Sequence, residues 1–147
     1  MSYKGKFKPK NYEKYVGDPT NVIFRSLLER RFMVYCDEKP WVLEWSSEEI
    51  VIPYVSPIDR RYHRYFPDFY MKYRNKENKI KTCIIEVKPF SQTKEPIVKL
   101  SDRGKPTRRF IAEAATWSVN QAKWKAATEY CLDRNWEFKI ITEKELR

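Results

Sequence analysis

The sequence has few of the residues on which several common catalytic sites depend. Its 147 residues include three glycines, three cysteines and a single histidine, His63. With so few glycines there is no phosphate-cradling loop of the Walker or dinucleotide-binding type. The cysteines lie far apart and form no Cys-x-x-Cys pair, which argues against a zinc site or a disulfide framework and favours a reducing compartment. Nothing near His63 supports a Ser/His/Asp or Cys/His catalytic arrangement.

Long hydrophobic runs and an excess of acidic residues are also missing. No stretch approaches the ~20 apolar residues of a membrane-spanning helix, and we expect no signal peptide because the charged start has no apolar core after it. Thirty lysines and arginines against twenty aspartates and glutamates give a formal net charge of +10. A basic excess of this size favours a polyanionic partner. Nucleic acid is the usual one, and a membrane surface is the competing interpretation.

What the chain does contain is enough apolar material for a folded domain. Hydrophobic residues make up 41% of the sequence and aromatic residues 16%, which predicts one domain with a substantial core. Over residues 1–20, lysines alternate with aromatic residues without a helical or strand period. We interpret this segment as a basic arm, either a solvated tail or a nucleic-acid contact, that precedes a single domain at 21–147.

Hydrophobic spacing predicts the order helix, three or four strands, helix, strand. The first helix is predicted over 21–35, capped by Thr20 or Asn21, with Phe24 in its apolar stripe. Residues 74–79 are rich in turn formers and predict a hairpin, and 89–111 form a long basic connection. Asn135 is a plausible stop for the second helix. The other predicted elements are strands at 41–45, 50–55, 65–73, 82–88 and 137–142, and the second helix at 112–134.

The strand at 82–88 carries charges that an ordinary buried strand does not. Because strand side chains alternate, Glu86 and Lys88 project together while Cys83, Ile85 and Val87 take the other face. Charges on a buried strand are costly unless they are paired or bound to a metal. Either this is an amphipathic edge strand with a surface ion pair, or it is a site that holds a divalent cation.

Other acidic residues fall in places that favour the second interpretation. Pro67-Asp68 lies eighteen residues before Glu86, a spacing that suits two strands joined by a hairpin, although Asp68 could simply cap a turn. Glu29 adjoins the apolar stripe of the first helix and could point into a cleft, or form a surface salt bridge with the arginines beside it. Two carboxylates and a lysine on neighbouring strands suit cleavage of a phosphodiester.

This order of elements and motif resembles the PD-(D/E)XK nuclease superfamily, whose signature stands here as Pro67-Asp68 and Glu86-Val87-Lys88. Within it the sequence is most similar to TnsA-type transposon endonucleases and to the small head-completion nucleases of T-even-like phages. The stretches that carry the likeness span residues 20 to 145 and include 26–29, 65–69, 85–88, 120–124 and 136–143. The resemblance implies an α/β fold with a restriction-endonuclease-like core, a mixed central sheet flanked by helices.

The resemblance also implies roles for individual residues. Asp68 and Glu86 would bind Mg²⁺, with Mn²⁺ able to substitute and the Val87 carbonyl as a further ligand. Glu29 would bind the ion directly or through water, or would bind a second ion. Lys88 would orient or help deprotonate a metal-bound water, or stabilise the transition state. Gln121 and Lys123 are accessory candidates, although exposed Gln and Lys are common on helices.

DNA contacts are predicted for basic residues outside this centre, on the long connection and near His63. They would bind phosphates without sequence specificity, or the connection is a solvated loop. These residues are Arg61, Arg64, Lys99, Arg103, Lys105, Arg108 and Arg109.

The expected function is that of a metal-dependent DNA endonuclease in phage head completion after genome packaging. We expect phage head or neck proteins as partners, and a location in the host cytoplasm with retention in the virion as an option. Two alternatives stay open: a non-catalytic structural head protein or DNA-end-binding protein on a nuclease fold, and a nuclease of transposition, repair or junction resolution.

Overall fold

A computed structural model describes residues 4–146, which form eight strands and two α-helices. Neither helix in this range is long and apolar enough to cross a membrane. Short 3-10 helices lie at Tyr12–Lys14 and Phe90–Thr93. The elements are β1 (Gly5–Phe7), β2 (Val22–Phe24), α1 (Leu27–Glu38), β3 (Val42–Ser47), β4 (Ile52–Val55), β5 (Tyr62–Tyr65), β6 (Phe69–Arg74), β7 (Ile80–Val87), α2 (Arg108–Asp133) and β8 (Glu137–Ile141).

A four-stranded mixed sheet of order β3-β6-β7-β8 forms the centre of the fold. β3, β6 and β7 pair antiparallel, and β8 joins β7 in parallel. On one face, Phe32 and Met33 of α1 pack against Cys83 and Ile85 of β7. On the other face, α2 contacts β7, β8 and the separate β4–β5 hairpin. The predicted α/β class, with a mixed sheet flanked by helices, is confirmed.

The first helix starts later than the sequence predicted. Val22–Phe24, assigned above to the helix, is instead strand β2 and pairs antiparallel with β1, in keeping with the strand preference of β-branched and aromatic residues. The helix is capped by Ser26, not by Thr20 or Asn21: the Ser26 hydroxyl accepts the backbone N–H of Glu29 at 3.1 Å. This N-terminal cap places Glu29 in the first turn of the helix.

The basic N-terminal segment contributes to the core, so the expectation that it lacks regular structure is wrong for residues 5–7 and 12–14. Phe7 and Tyr15 are buried and both pack edge-on against Trp45. The ammonium group of Lys14 donates to the backbone carbonyls of Cys36 and Lys39 at 2.7 and 2.9 Å. That lysine therefore satisfies carbonyl groups at the C-terminal end of α1.

The single strand predicted over 65–73 is divided in two at Phe66-Pro67-Asp68. Pro67 is fully buried, and proline cannot donate to a strand ladder, so the chain leaves one sheet there and enters another. β5 pairs with β4 in a two-stranded hairpin, whereas β6 enters the central sheet. The predicted hairpin between β6 and β7 is confirmed.

The long connection after β7 contains a narrow hairpin-like projection, residues 99–107, which we term the basic finger. Backbone N–H groups of Thr107 and Ser101 donate to the carbonyls of Lys99 and Lys105, at 2.9 and 2.6 Å. Gly104, at φ +73°, supplies the left-handed residue that the turn requires.

The second helix begins at Arg108, not near residue 112, because the Thr107 hydroxyl caps it by accepting the N–H of Phe110 at 3.1 Å. Arg108 and Arg109 are therefore helical, a correction to their placement in the connection. At the other end, Asn135 adopts φ +59°, and its N–H donates to the carbonyl of Leu132. This left-handed residue confirms the predicted helix stop.

Candidate active site

The pairing of β6 with β7 brings the two halves of the predicted motif together. Phe69 is the register partner of Ile85, so Asp68, just before that pair, lies beside Glu86, just after it. Ile85 and Val87 are buried in the core on the α1 side. Because side chains alternate along a strand, Glu86 projects toward the α2 side. The predicted division of faces on this strand is confirmed.

Glu86 is the most enclosed carboxylate of the site, with 6% of its surface exposed. Its Oε1 accepts the hydroxyl hydrogen of Tyr65 at 2.5 Å, and its Oε2 lies 3.2 Å from Nζ of Lys88. The backbone N–H of Lys88 donates to the carbonyl of Ile141 at 3.0 Å, which extends the β7–β8 pairing to the lysine. Both oxygens of Glu86 are thus held by polar groups, as a buried carboxylate requires.

Asp68 is held at the edge of the same site by the backbone of β7. Its Oδ2 accepts the N–H of Val87 at 2.7 Å. Burial raises the pKa of Asp68 well above its ordinary value, and the negative charges of Glu86 and then Glu29 add to this rise, against the Val87 hydrogen bond, which lowers it. A bound cation would therefore offset the repulsion among these carboxylates.

Glu29 lies half-buried in the first turn of α1. Burial raises the pKa of its carboxyl, the Ser26 hydroxyl partly offsets that rise, and Glu48 adds to it. Glu29 is close enough to affect the pKa of Asp68. Among residues 4–146, however, no group of three or more His, Cys, Asp or Glu side chains is close enough together to hold a metal ion. The complete set of metal ligands therefore stays a prediction.

The two accessory candidates on α2 differ in their surroundings. Gln121 is exposed to solvent. Lys123 is half-buried, and its Nζ lies 5.6 Å from the ring centroid of Tyr65 and 5.8 Å from that of Tyr54. At these distances the lysine makes cation–π contacts. Lys123 therefore approaches the site through Tyr65, and Gln121 has no comparable contact.

Tyr65 is the residue of the site to which the sequence analysis gave no role. Tyr65 is buried in a cluster with Tyr54 and with Trp124 and Ala127 of α2, and its hydroxyl reaches Glu86. The available signal was a tyrosine three residues before Asp68, in a strand that otherwise consists of Tyr62, His63 and Arg64. That signal does not disclose the partner, because Glu86 lies 21 positions away along the chain.

The basic residues predicted to bind DNA lie in two separate regions. Arg61 and Arg64 are exposed on the β4–β5 hairpin and its turn, and Lys99, Arg103 and Lys105 are exposed on the basic finger. Arg108 and Arg109 lie in the first turn of α2, and Arg109 pairs with Glu113 at 3.0 Å. Their roles in binding stay predictions.

Comparison with known proteins agrees with this arrangement. The family model of the N-terminal domain of TnsA-like endonucleases matches residues 39–143, a range that includes Asp68, Glu86 and Lys88 but not Glu29. The head completion nuclease of Enterobacteria phage T4 is 39% identical over 147 residues, which cover 100% of this chain and 95% of that protein. No solved structure matches the chain significantly. The chain therefore belongs to the family of TnsA-like endonucleases.

Proposed function

We propose that this protein is a Mg²⁺-dependent DNA endonuclease that acts during completion of a phage head. One observation carries the proposal: Asp68 and Glu86 lie side by side on paired strands, with Lys88 3.2 Å from Glu86, in a chain of an endonuclease family. The full-length similarity to a head completion nuclease supports the biological setting.

The donor atoms of the site suit a hard divalent cation. Asp68 and Glu86 offer carboxylate oxygens, which Mg²⁺ prefers, and Mn²⁺ accepts the same ligands. The raised pKa of Asp68 supports this fit, because burial and neighbouring negative charge are its causes. We propose Glu29 and the carbonyl of Val87 as the remaining ligands. When bound, the ion would lower the pKa of a coordinated water and neutralise charge on the phosphate.

The chain's own groups would orient the reactants around that centre. The Lys88 ammonium group would donate hydrogen bonds to the attacking water or to a phosphate oxygen. The Tyr65 hydroxyl fixes the orientation of Glu86, and the Val87 N–H fixes that of Asp68. As in related nucleases, we expect cleavage to leave a 5′-phosphate and a 3′-hydroxyl.

Affinity for DNA would come from positive charge outside the centre. The exposed lysines and arginine of the basic finger and the arginines of the β4–β5 hairpin would contact phosphates without sequence specificity. We place the protein in the host cytoplasm during assembly, in contact with head or neck proteins and with retention in the virion as a further proposal.

Cleavage of supercoiled plasmid by the purified protein tests the chemical proposal. We expect nicks in Mg²⁺ or Mn²⁺, none in EDTA, and activity restored by excess Mg²⁺. Ends that accept ligation without kinase treatment would show the 5′-phosphate. Binding without cleavage in any divalent ion would instead identify a non-catalytic DNA-binding head protein.

The biological setting requires a phage that carries a substitution in the site. We expect such phage to package DNA into heads that fail to become infectious, with altered packaged ends. Normal infectivity together with a defect in recombination or repair would place the nuclease elsewhere.

A further inference from the structure

The β4–β5 hairpin has two faces of opposite character. On the inner face, Ile52, Tyr54 and Tyr65 are buried against α2. On the outer face, Tyr62 is 80% exposed and Val55 is 45% exposed. Single exposed apolar residues are common, but apolar groups that are contiguous at the surface are typical of a surface that binds a ligand or partner.

Positive charge accompanies the apolar groups of this outer face. Arg64 lies on the same side of β5 as Tyr62, because side chains two positions apart share a face. Its guanidinium lies 5.8 Å from the ring centroid of Phe66, which is 45% exposed and continues the same side beyond the strand. Within residues 4–146, neither Arg64 nor Arg61 forms a salt bridge, and the nearby carboxylate of Asp59 pairs with His63. We name Tyr62, Arg64 and Phe66 the outer platform.

Protection of a sheet edge does not explain this composition. Charged side chains on an edge strand discourage pairing with another chain, but exposed aromatic rings do not. Duplex DNA does not explain it either, because paired bases are stacked inside the helix and present mainly phosphates and sugars to a flat surface. Unpaired bases, in contrast, have free faces that stack on aromatic rings and on guanidinium planes.

The spacing along the strand is suitable for such stacking. Side chains two residues apart on one face are roughly 7 Å apart. A stacked base occupies about 3.4 Å along its strand, so one base fits between the Tyr62 ring and the Arg64 guanidinium. The positive charges of Arg61 and Arg64 also complement the negative charge of a DNA strand.

We propose that the outer platform binds an unpaired strand of DNA, so that the substrate carries a single-stranded segment next to the cut. The platform adjoins the candidate active site along the chain. Phe66 lies two residues before Asp68, and Tyr65, which stands between Arg64 and Phe66 in the sequence, donates its hydroxyl to Glu86 on the other face. The inference rests on the proposed nuclease function for its meaning, but the binding itself can be measured without cleavage.

The test compares two fluorescent probes of equal length and charge, oligo-dT and an abasic oligonucleotide, by anisotropy with the full chain in EDTA. We expect wild-type protein to bind oligo-dT more tightly. Tyr62→Ala and Phe66→Ala should each weaken oligo-dT binding by roughly tenfold, as loss of a stacked base does, without changing affinity for the abasic probe. Tyr62→Phe keeps the ring and should keep the affinity.

A matched control is available in Trp41, an aromatic residue that is 43% exposed, close to the 45% of Phe66, and lies outside every region predicted to bind DNA. Trp41→Ala should leave both affinities unchanged. Equal binding of the two probes by wild-type protein would overturn the proposal. So would unchanged oligo-dT affinity in a folded Tyr62→Ala/Phe66→Ala variant. If that variant also made phage non-infectious, the surface would belong to a protein partner instead.

The same proteins separate this inference from the proposed function. If wild-type protein prefers oligo-dT but cleaves no plasmid in Mg²⁺, the proposal for the platform is supported and the proposed nuclease activity is rejected. If wild-type protein cleaves plasmid but binds both probes equally, the proposed nuclease activity is supported and the proposal for the platform is rejected.

Discussion

The carboxylate of Asp68 accepts a hydrogen bond from the backbone N–H of Val87, with 2.7 Å between Oδ2 and N. This bond connects the start of β6 to the strand that carries Glu86 and Lys88. It holds one oxygen of Asp68 in place beside a second carboxylate. The strands thus assemble the carboxylates that the proposed metal needs before any metal binds, at a cost in the stability of the metal-free protein.

Asp68→Asn should stabilise the metal-free protein and abolish cleavage. Asparagine can still accept the Val87 N–H, but it removes a carboxyl group whose pKa is raised because burial, and then the charges of Glu86 and Glu29, disfavour its ionised form. We expect a gain on the order of 1 kcal/mol in the free energy of unfolding, measured by urea denaturation in EDTA. Asp102→Asn on the exposed basic finger is the control and should change nothing. A less stable Asp68→Asn protein would show that the charge is already compensated.

Tyr65→Phe tests the contribution of the hydroxyl that holds Glu86. The ring and its packing against α2 remain, but Glu86 Oε1 loses its donor. Groups that orient a metal ligand typically affect metal affinity or activity by 10- to 100-fold, so we expect a loss of about tenfold in cleavage rate or in Mn²⁺ affinity. DNA affinity should not change.

The neighbouring Tyr54 provides the control, because it packs in the same cluster and forms no side-chain hydrogen bond to any residue in the range 4–146. Tyr54→Phe should cleave DNA at the wild-type rate. Equal activity of both phenylalanine variants would mean that the hydroxyl of Tyr65 does not position Glu86.

Neutralising the basic finger should weaken binding to all DNA sequences alike. Replacing Lys99, Arg103 and Lys105 with glutamine should flatten the plot of log affinity against log salt by roughly one unit of slope for each phosphate that the finger no longer neutralises. Titrations at several salt concentrations measure the slope, and circular dichroism checks the fold.

The control for this experiment neutralises an equal number of exposed lysines in and beside the β6–β7 turn: Lys76, Lys79 and Lys81. It changes the net charge equally. Equal slopes for the two triple variants would show that the finger contributes only general charge, and that it is a solvated loop.

Asp37→Ala should destabilise the protein by about 2 kcal/mol, because two backbone donors lose a charged acceptor. Asp37 is 2% exposed, and its two oxygens accept the N–H groups of Lys10 and Asn11, each at 2.9 Å. The adjacent Glu38 is exposed, so Glu38→Ala is the matched control. Denaturant unfolding measures both variants. Equal stability would indicate that the N-terminal segment is not held by this carboxylate.

Local sequence patterns correctly predicted those parts of the fold that depend on contacts between residues close together in the sequence. The β6–β7 hairpin followed from its turn residues and the faces of β7 from simple alternation, which together place Asp68 beside Glu86. Asn135 predicted the end of α2 because the left-handed conformation there is a local property.

Parts that depend on distant contacts could not be predicted in this way. Phe7 and Tyr15 lie among lysines and give no apolar period, yet both are buried against Trp45. The division of β5 from β6 depends on which sheet each segment joins, and Tyr65 obtains its role only from Glu86. Metal ligands and DNA contacts stay predictions for a different reason, since they depend on partners outside the chain.

Glu86→Ala tests the central claim, that this carboxylate belongs to a metal-dependent cleavage centre, most directly. Plasmid cleavage in Mg²⁺ and DNA affinity in EDTA are measured on the same preparations of wild-type protein, Glu86→Ala and the exposed control Glu77→Ala. The account predicts that Glu86→Ala loses cleavage and keeps its DNA affinity, because affinity comes from phosphate contacts elsewhere. Cleavage by Glu86→Ala at the wild-type rate, at equal protein concentration, would contradict it.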